Sequence, residues 1–122
     1  MQKPDVGPID PQPPADLVVE DVTLGDGAQV GAGQVASVHY VGVSHSSGKE
    51  FDASYNRGAP LDFTVGAGQV IAGWDQGVNG MKVGGRRKLT IPPHLGYGDS
   101  GAGGVIKPGE TLIFVVDLVD VR

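Results

Sequence analysis

The segment Val70–Met81, VIAGWDQGVNGM, contains the only tryptophan of the chain and predicts a short helix. Val70, Ile71, Trp74 and Val78 follow one another at separations of one, three and four positions. Such spacings place side chains on one face of a helix that begins near Ile71. The Trp74 side of this helix is therefore expected to be buried.

Three glycines interrupt this segment, at Gly73, Gly77 and Gly80. Each costs about 1 kcal/mol relative to alanine in a free helix, so packing against a sheet is expected to hold the helix in place. Gly73 and Gly77 also allow a close backbone approach and should leave part of the Trp74 indole uncovered. An uncovered indole is a platform for an apolar ligand.

Strand patterns flank the helix on both sides. Ala36, Val38 and Tyr40 alternate with polar residues, and the last segment carries an apolar residue at every second position from Leu112 to Leu118. The sequence therefore predicts an α+β fold, in which a twisted antiparallel sheet of about five strands carries one short helix across one face. The five strand candidates are 17–24, 35–43, 61–66, 86–91 and 111–122.

Composition divides the chain into two parts. Residues 1–16, MQKPDVGPIDPQPPAD, contain five of the nine prolines and lack periodicity, so they are expected to form a flexible Pro-rich leader without an assigned function. Residues 17–122 are expected to form one folded domain.

Several classes of function are disfavoured by composition. The absence of cysteine excludes disulfides and a thiolate nucleophile, and a net charge of −5 argues against a nucleic-acid partner. The three histidines share no metal-ligand spacing, so neither a metal nor a cofactor is expected. With no apolar run long enough to span a bilayer, a cytoplasmic protein without a membrane partner is expected, and a monomer is the default.

A long loop separates Ile91 from Thr111 and contains six glycines and three prolines. Loops of this length in compact domains are usually functional or disordered. Tyr97, Val105 and Ile106 are too apolar for pure disorder, so we interpret the segment as a binding loop.

Four segments carry a resemblance: VHYVG, KEFDAS, VIAGWDQGVNGMKVGGRRKLTIPPHLGYG and GVIKPGETLIFVVDL. In this order they resemble the successive signatures of the FKBP family, the peptidyl-prolyl cis/trans isomerases that bind tacrolimus and rapamycin. The resemblance spans residues 17–122 and implies the minimal single-domain form, a half-barrel sheet wrapped around the short helix. It implies an enzyme that assists protein folding, with proline-containing peptides, unfolded clients and tacrolimus- or rapamycin-type macrolides as its partners.

The resemblance also implies roles for particular residues. Trp74 is expected to be the pocket floor, Tyr97 and the Ile71 N–H to donate to ligand carbonyls, and Asp52 to be the polar group at the pocket edge, with Arg57 as its ion partner. The expected catalytic set is Tyr40, Asp52, Trp74, Tyr97 and Phe114, and the expected binding set is Phe51, Arg57, Phe63, Val70, Ile71, Val105 and Ile106.

Simpler interpretations stay open for several of these residues. Phe63 and Phe114 are ordinary core residues in most sheets, and Asp52 and Arg57 can form a surface ion pair worth about 0–1 kcal/mol. A proline-segment binding module or chaperone with little turnover is the alternative function. Two departures from the family pattern reduce the bulk at the pocket rim: Leu61 replaces an aromatic residue, and Ala102-Gly103 replaces histidine and proline.

Overall fold

The structure, a computed structural model, describes residues 3–102 and 105–122. Within these residues, six antiparallel strands form one open sheet with a single α-helix, as the sequence predicted in outline. The strands are β1 (Val18–Thr23), β2 (Val35–Ser44), β3 (Glu50–Ala53), β4 (Leu61–Thr64), β5 (Arg86–Ile91) and β6 (Leu112–Val121), and the helix is α1 (Ala72–Val78). No helix in the described part of the chain is both long and apolar enough to cross a bilayer.

The strand order is β1-β5-β6-β2-β3, and β4 also pairs with β2. β2 is ten residues long, so its first half pairs with β4 through Val35 to Val38 and its second half pairs with β3 through Val41 to Val43. The two short strands therefore share one edge of β2. β3 is the strand that the sequence pattern missed.

Helix α1 packs across one face of the sheet because its glycines admit strand side chains. A Cβ added at Gly73 would lie 2.6 Å from Ile91, and one added at Gly77 would lie 2.7 Å from Leu89. A close approach is present at both glycines, as predicted, but the groups that approach are strand side chains and not backbone. Trp74 is only 3% exposed, so the part of it that remains accessible in the cavity is small.

Side-chain hydrogen bonds hold both ends of α1, one set from Arg87 of β5 and the other from Asp75 of the helix itself. Arg87 donates from Nη1 to the carbonyls of Gly77 (2.9 Å) and Asn79 (3.0 Å) at the C-terminal end. The Asp75 carboxylate accepts from the N–H groups of Gly66 (2.9 Å) and Gly68 (3.1 Å), which fixes the preceding turn. These bonds satisfy carbonyl and amide groups that would otherwise lack partners.

A second apolar cluster lies on the outer face of the sheet, opposite α1. It consists of the buried residues Val41, Val43, Ala53 and Ile113, with Val6, Ile9 and Tyr55 packed against them. Part of the Pro-rich leader therefore contacts the sheet. The predicted flexibility of residues 1–16 stays a prediction, and Met1 and Gln2 lie outside the described residues.

Candidate functional site

An aromatic cavity of about 160 Å³ opens between α1 and the face of the sheet that α1 covers. Its lining comes from β2, β3, β4, β6, the start of α1 and the long loop before β6. Distant segments of the chain therefore converge on one small volume. The lining residues are Tyr40, Phe51, Asp52, Leu61, Gln69, Val70, Ile71, Trp74, Tyr97 and Phe114.

Trp74 forms the floor of this cavity and is held by three other rings. Tyr40 and Phe114 meet the indole edge to face, with centroid distances of 4.8 and 5.2 Å, and Phe63 lies tilted against it at 5.7 Å. Such arrangements are favourable for aromatic pairs and restrict ring motion. The buried Trp74 Nε1 finds no hydrogen-bond partner in residues 3–102 and 105–122, so packing alone holds the ring.

A β-bulge brings two consecutive residues of β3 to the cavity. In a regular strand, successive side chains point to opposite faces. The pairing of β2 with β3 shifts register between Gly42 and Val43, opposite Glu50–Asp52. Phe51 and Asp52 therefore both line the cavity, as an inserted residue in a bulged strand allows.

Gly42 provides the space that these rings occupy. A Cβ at this position would lie 2.6 Å from Phe114 Cε1 and 2.8 Å from Phe51 Cζ. The two rings meet edge to face over the glycine, with their centroids 5.5 Å apart. A side chain at position 42 is therefore incompatible with the observed ring positions.

Asp52, Tyr40 and Arg57 form a hydrogen-bonded triangle at the cavity edge. The Tyr40 hydroxyl donates to Asp52 Oδ2 (2.5 Å), while Arg57 donates to Asp52 Oδ1 (2.7 Å) and to the Tyr40 oxygen (2.8 Å). The Asp52 side chain is 41% exposed. The ion pair predicted for Asp52 and Arg57 is present.

This triangle fixes the protonation states of its members. Burial on its own disfavours the Asp52 carboxylate, but the hydrogen bonds from Tyr40 and Arg57 outweigh it and hold the pKa of Asp52 below its ordinary value. Burial, followed by the bond to Asp52, raises the pKa of Tyr40. At neutral pH the cavity edge therefore carries an ionised carboxylate beside a protonated phenol.

A buried polar cluster supports Tyr40 from the other face of β2. The fully buried Ser54 hydroxyl accepts from the Tyr40 N–H (2.7 Å) and contacts His39 Nδ1 (2.9 Å). The His39 ring stacks on Tyr55, whose hydroxyl donates to Asp117. Burial, together with this bond, raises the pKa of Tyr55. No sequence pattern predicted this cluster, because its members are far apart in the chain.

Most of the site residues predicted from the sequence line this cavity, but four do not: Arg57 reaches only its edge, and three others lie elsewhere. Phe63 is 3% exposed and lies behind Trp74, and Ile106 is 5% exposed in the core. Val105 is 59% exposed and lies near Phe51 in a separate depression.

The remaining predicted residues have the following positions. Arg57 reaches the cavity edge through its bonds to Asp52 and Tyr40. Tyr97 is 41% exposed at the rim. Gln69, which also lines the cavity, was not predicted, because a lone polar residue in a turn carries no pattern. Of the two rim departures, Leu61 lines the cavity and Ala102 is half-buried, whereas Gly103 lies outside the described residues.

A larger depression, of about 350 Å³, lies between the leader and the outer face of the sheet. Its lining contains no tryptophan, tyrosine or phenylalanine, and none of the predicted site residues. Within residues 3–102 and 105–122, no three His, Asp or Glu side chains are grouped so that they could hold a metal ion. The aromatic cavity is therefore the candidate site.

Known proteins match most of this chain. Residues 27–119 match the model of the family described as FKBP-type peptidyl-prolyl cis-trans isomerase. An FK506-binding protein of Streptomyces anulatus is 66% identical over 122 residues, which cover 99% of this chain and 98% of that protein. An FK506-binding protein of Neisseria meningitidis is 52% identical over 105 residues, covering 86% of this chain and 95% of that protein.

Solved structures share the fold. AtFKBP13 aligns with a TM-score of 0.80 at 43% identity, over 87% of this chain and 93% of that chain. FkpA from Escherichia coli aligns with a TM-score of 0.78 at 43% identity, and the alignment covers 48% of FkpA. The open antiparallel sheet and the short helix thus match the fold of these structures. The chain belongs to the FKBP family of peptidyl-prolyl cis-trans isomerases.

Proposed function

We propose that this protein accelerates rotation about the peptide bond before proline, with the proline ring held on Trp74. The observation that carries the proposal is the small aromatic cavity with one ionised group at its edge. Its volume of about 160 Å³ is far below the roughly 300–1,000 Å³ of sites that enclose drug-sized ligands. A single proline ring suits this volume, and the remainder of a peptide or macrolide would lie across the rim.

The chemistry requires no covalent bond to the protein. The barrier to rotation is about 18–20 kcal/mol because amide resonance must be broken, and the uncatalysed exchange takes tens to hundreds of seconds. The planar imide is strongly polarised, whereas the twisted transition state has lost resonance and is less polar. An apolar cavity therefore favours the twisted form, and about 1.4 kcal/mol of such preference gives a tenfold acceleration.

Three groups are suited to orient the peptide. The N–H of Ile71 precedes α1, where backbone donors are not used by the helix, and the Tyr97 hydroxyl lies at the rim. Asp52 uses one oxygen for Tyr40 and the other for Arg57, which leaves further lone pairs of the carboxylate available. We propose that the Asp52 charge acts on the twisted imide.

Tacrolimus- and rapamycin-type macrolides are the proposed inhibitors. Like a prolyl peptide, such a macrolide would place an apolar ring on Trp74 and carbonyl groups at the rim, and the two would compete for the cavity. Leu61 and Ala102 offer less bulk at the rim than the family pattern, so we expect weaker macrolide binding than for members with aromatic rims. The cytoplasmic location and the monomeric state stay predictions.

The decisive measurement is the exchange rate of a short Leu-Pro peptide by two-dimensional NMR exchange spectroscopy, with and without tacrolimus. We expect acceleration that the macrolide abolishes. Macrolide binding with exchange at the uncatalysed rate would favour a proline-segment binding module instead. A protein that neither binds the macrolide nor accelerates exchange would refute both functions.

Two substitutions separate the charge of Asp52 from its structural role. Asp52→Ala and Arg57→Ala each break the triangle with Tyr40, but only the first removes the negative charge. We expect Asp52→Ala to lower kcat/KM by about tenfold, equivalent to about 1.4 kcal/mol, and to weaken macrolide binding less. Equal losses of kcat/KM in the two variants would mean that the order of the triangle, not the charge, is what matters.

A further inference from the structure

The leader is attached to the sheet beside the candidate site. Val6 and Ile9 pack against the outer apolar cluster, which includes Ala53 at the end of β3. Backbone carbonyls of the leader are also engaged, since Lys88 Nζ donates to Pro8 (3.1 Å) and His45 Nε2 donates to Asp10 (2.7 Å). Residues 3–10 therefore lie along the outer face as a strap.

The N-terminal end of this strap joins the two ends of one short segment. Lys3 Nζ contacts Glu50 Oε1 (2.8 Å) and donates to Asn56 Oδ1 (2.9 Å), and Asn56 donates to Glu50 Oε2 (2.9 Å). Glu50 begins β3, and Asn56 lies in the 3-10 turn that follows it. Between and beside these points lie the cavity residues Phe51, Asp52 and Arg57.

The 3-10 turn is held by Ser54 and Tyr55, whereas the strand β3 itself has few pairing partners. β3 is four residues long, is bulged, and among the described strands pairs with β2 alone. Short edge elements with few contacts open locally at low free-energy cost. Gly58 follows the 3-10 turn with φ of 68°, so the chain reverses there without adding a further packed side chain.

We propose that residues 3–10 are a positioning strap, which docks on the outer face of the sheet and holds Phe51, Asp52 and Arg57 in their places at the cavity. The inference rests on the proposed isomerase function for its activity readout. The strap acts through β3 and the 3-10 turn, and its own residues do not line the cavity.

The test uses the full chain with the double substitution Val6→Ser and Ile9→Ser, which removes the apolar anchors of the strap. The matched control is Pro11→Ser with Pro13→Ser, two exposed leader positions outside the apolar cluster. Three quantities are measured: kcat/KM on the Leu-Pro peptide, the NMR signal of Arg57 Nε–H, and amide hydrogen exchange in β3 and in β5–β6.

We expect the anchor variant to lose about three- to tenfold in kcat/KM, which lies within the range of about two- to thirtyfold known for energetic coupling through packed residues. Exchange in β3 should accelerate about tenfold while β5 and β6 keep their protection, because only the edge segment is released. The Arg57 signal should shift, and the proline control should match the wild type in every measurement.

Three results would overturn the strap. The first is unchanged activity and an unchanged Arg57 signal in the anchor variant, although methyl NOEs show that Val6 and Ile9 contact the sheet in the wild type. The second is faster exchange spread evenly over all strands, which indicates a loss of global stability. The third is an equal effect of the proline control. If the wild type lacks isomerase activity, the proposed function fails, while hydrogen exchange and the Arg57 signal still decide whether the strap positions the segment.

Discussion

Gly42 is the position where one added methyl group should damage both the fold and the site. A Cβ there lies 2.6 Å from Phe114 and 2.8 Å from Phe51, whereas ordinary contacts begin at 3.4 Å. In a Gly42→Ala variant, Phe114 must therefore withdraw by 0.8 Å and Phe51 by 0.6 Å. Phe114 is 3% exposed and packed on Trp74, so it cannot move without displacing the floor or entering the cavity.

The expected change in the free energy of unfolding of Gly42→Ala is the balance of two opposing effects. Overpacking of a core costs about 1–3 kcal/mol, while replacing glycine by alanine inside a strand contributes about 0.5–1 kcal/mol of stability. We therefore expect a net loss of about 1–2 kcal/mol in the free energy of unfolding. Because displacement of catalytic groups by about 1 Å can cost 100-fold, we expect kcat/KM to fall by roughly tenfold or more.

Urea unfolding and peptide exchange measure the two effects on the same samples. Gly31→Ala is the matched control, since its Cβ meets only Gln34 Oε1, at 3.7 Å. This control should stay within about 0.5 kcal/mol of the wild type. A Gly42→Ala protein with wild-type stability and activity would refute the packing argument, and a loss of stability alone would show that the rings do not move into the cavity.

Three further perturbations test other parts of the molecule. Gly77→Ala should destabilise the fold by about 1 kcal/mol in urea unfolding, because overlap with the buried Leu89 outweighs a helix-propensity gain of similar size; a stabilised variant would contradict this. Arg86→Ala leaves the buried Asp117 carboxylate without its ion partner and should lower the free energy of unfolding by about 3 kcal/mol. Arg122→Ala removes one side of the exposed pair with Asp62 and should lower it by about 0–1 kcal/mol. Equal losses in urea unfolding would argue against a stabilising role of the buried pair. The pKa of Asp52 is lowered in the folded protein, so its carboxylate should still contribute to activity at about pH 5. This contribution should be lost only as the pH falls below 3.8, the ordinary pKa of an aspartate. An NMR titration that gives Asp52 a pKa above 3.8 would be inconsistent with the triangle.

Local periodicity explains why much of the fold was predictable. The helix around Trp74 and the strands containing Tyr40 and Phe114 follow regular patterns, since one face of each element packs into the core. Packing of the helix against a sheet was also implied, because its three glycines disfavour a free helix. Patterns of this kind identify which face of each element is buried, and the buried faces identify most of the strands of the sheet.

The candidate site was less predictable where the pattern is broken. β3 was not predicted because its bulge places both Phe51 and Asp52 on the cavity side. This removes the alternation of apolar and polar residues that identifies a strand. Phe63 and Ile106 were expected in the binding set but are absent from the cavity lining, because the resemblance does not give the direction of each side chain. The Ser54 cluster joins residues that only the folded chain brings together.

Substitutions at the floor of the cavity affect the stability of the fold, whereas substitutions at its rim largely do not. Trp74 and Phe114 are each 3% exposed and belong to the main core, so substitutions there change packing and binding together. Leu61, Gln69 and Tyr97 line the same cavity but remain partly or largely exposed. Exposed positions away from caps and networks usually change stability by no more than about 0.5 kcal/mol. Differences in ligand preference between this protein and its relatives should therefore arise at the rim, because only there can the side chains vary without repacking the floor.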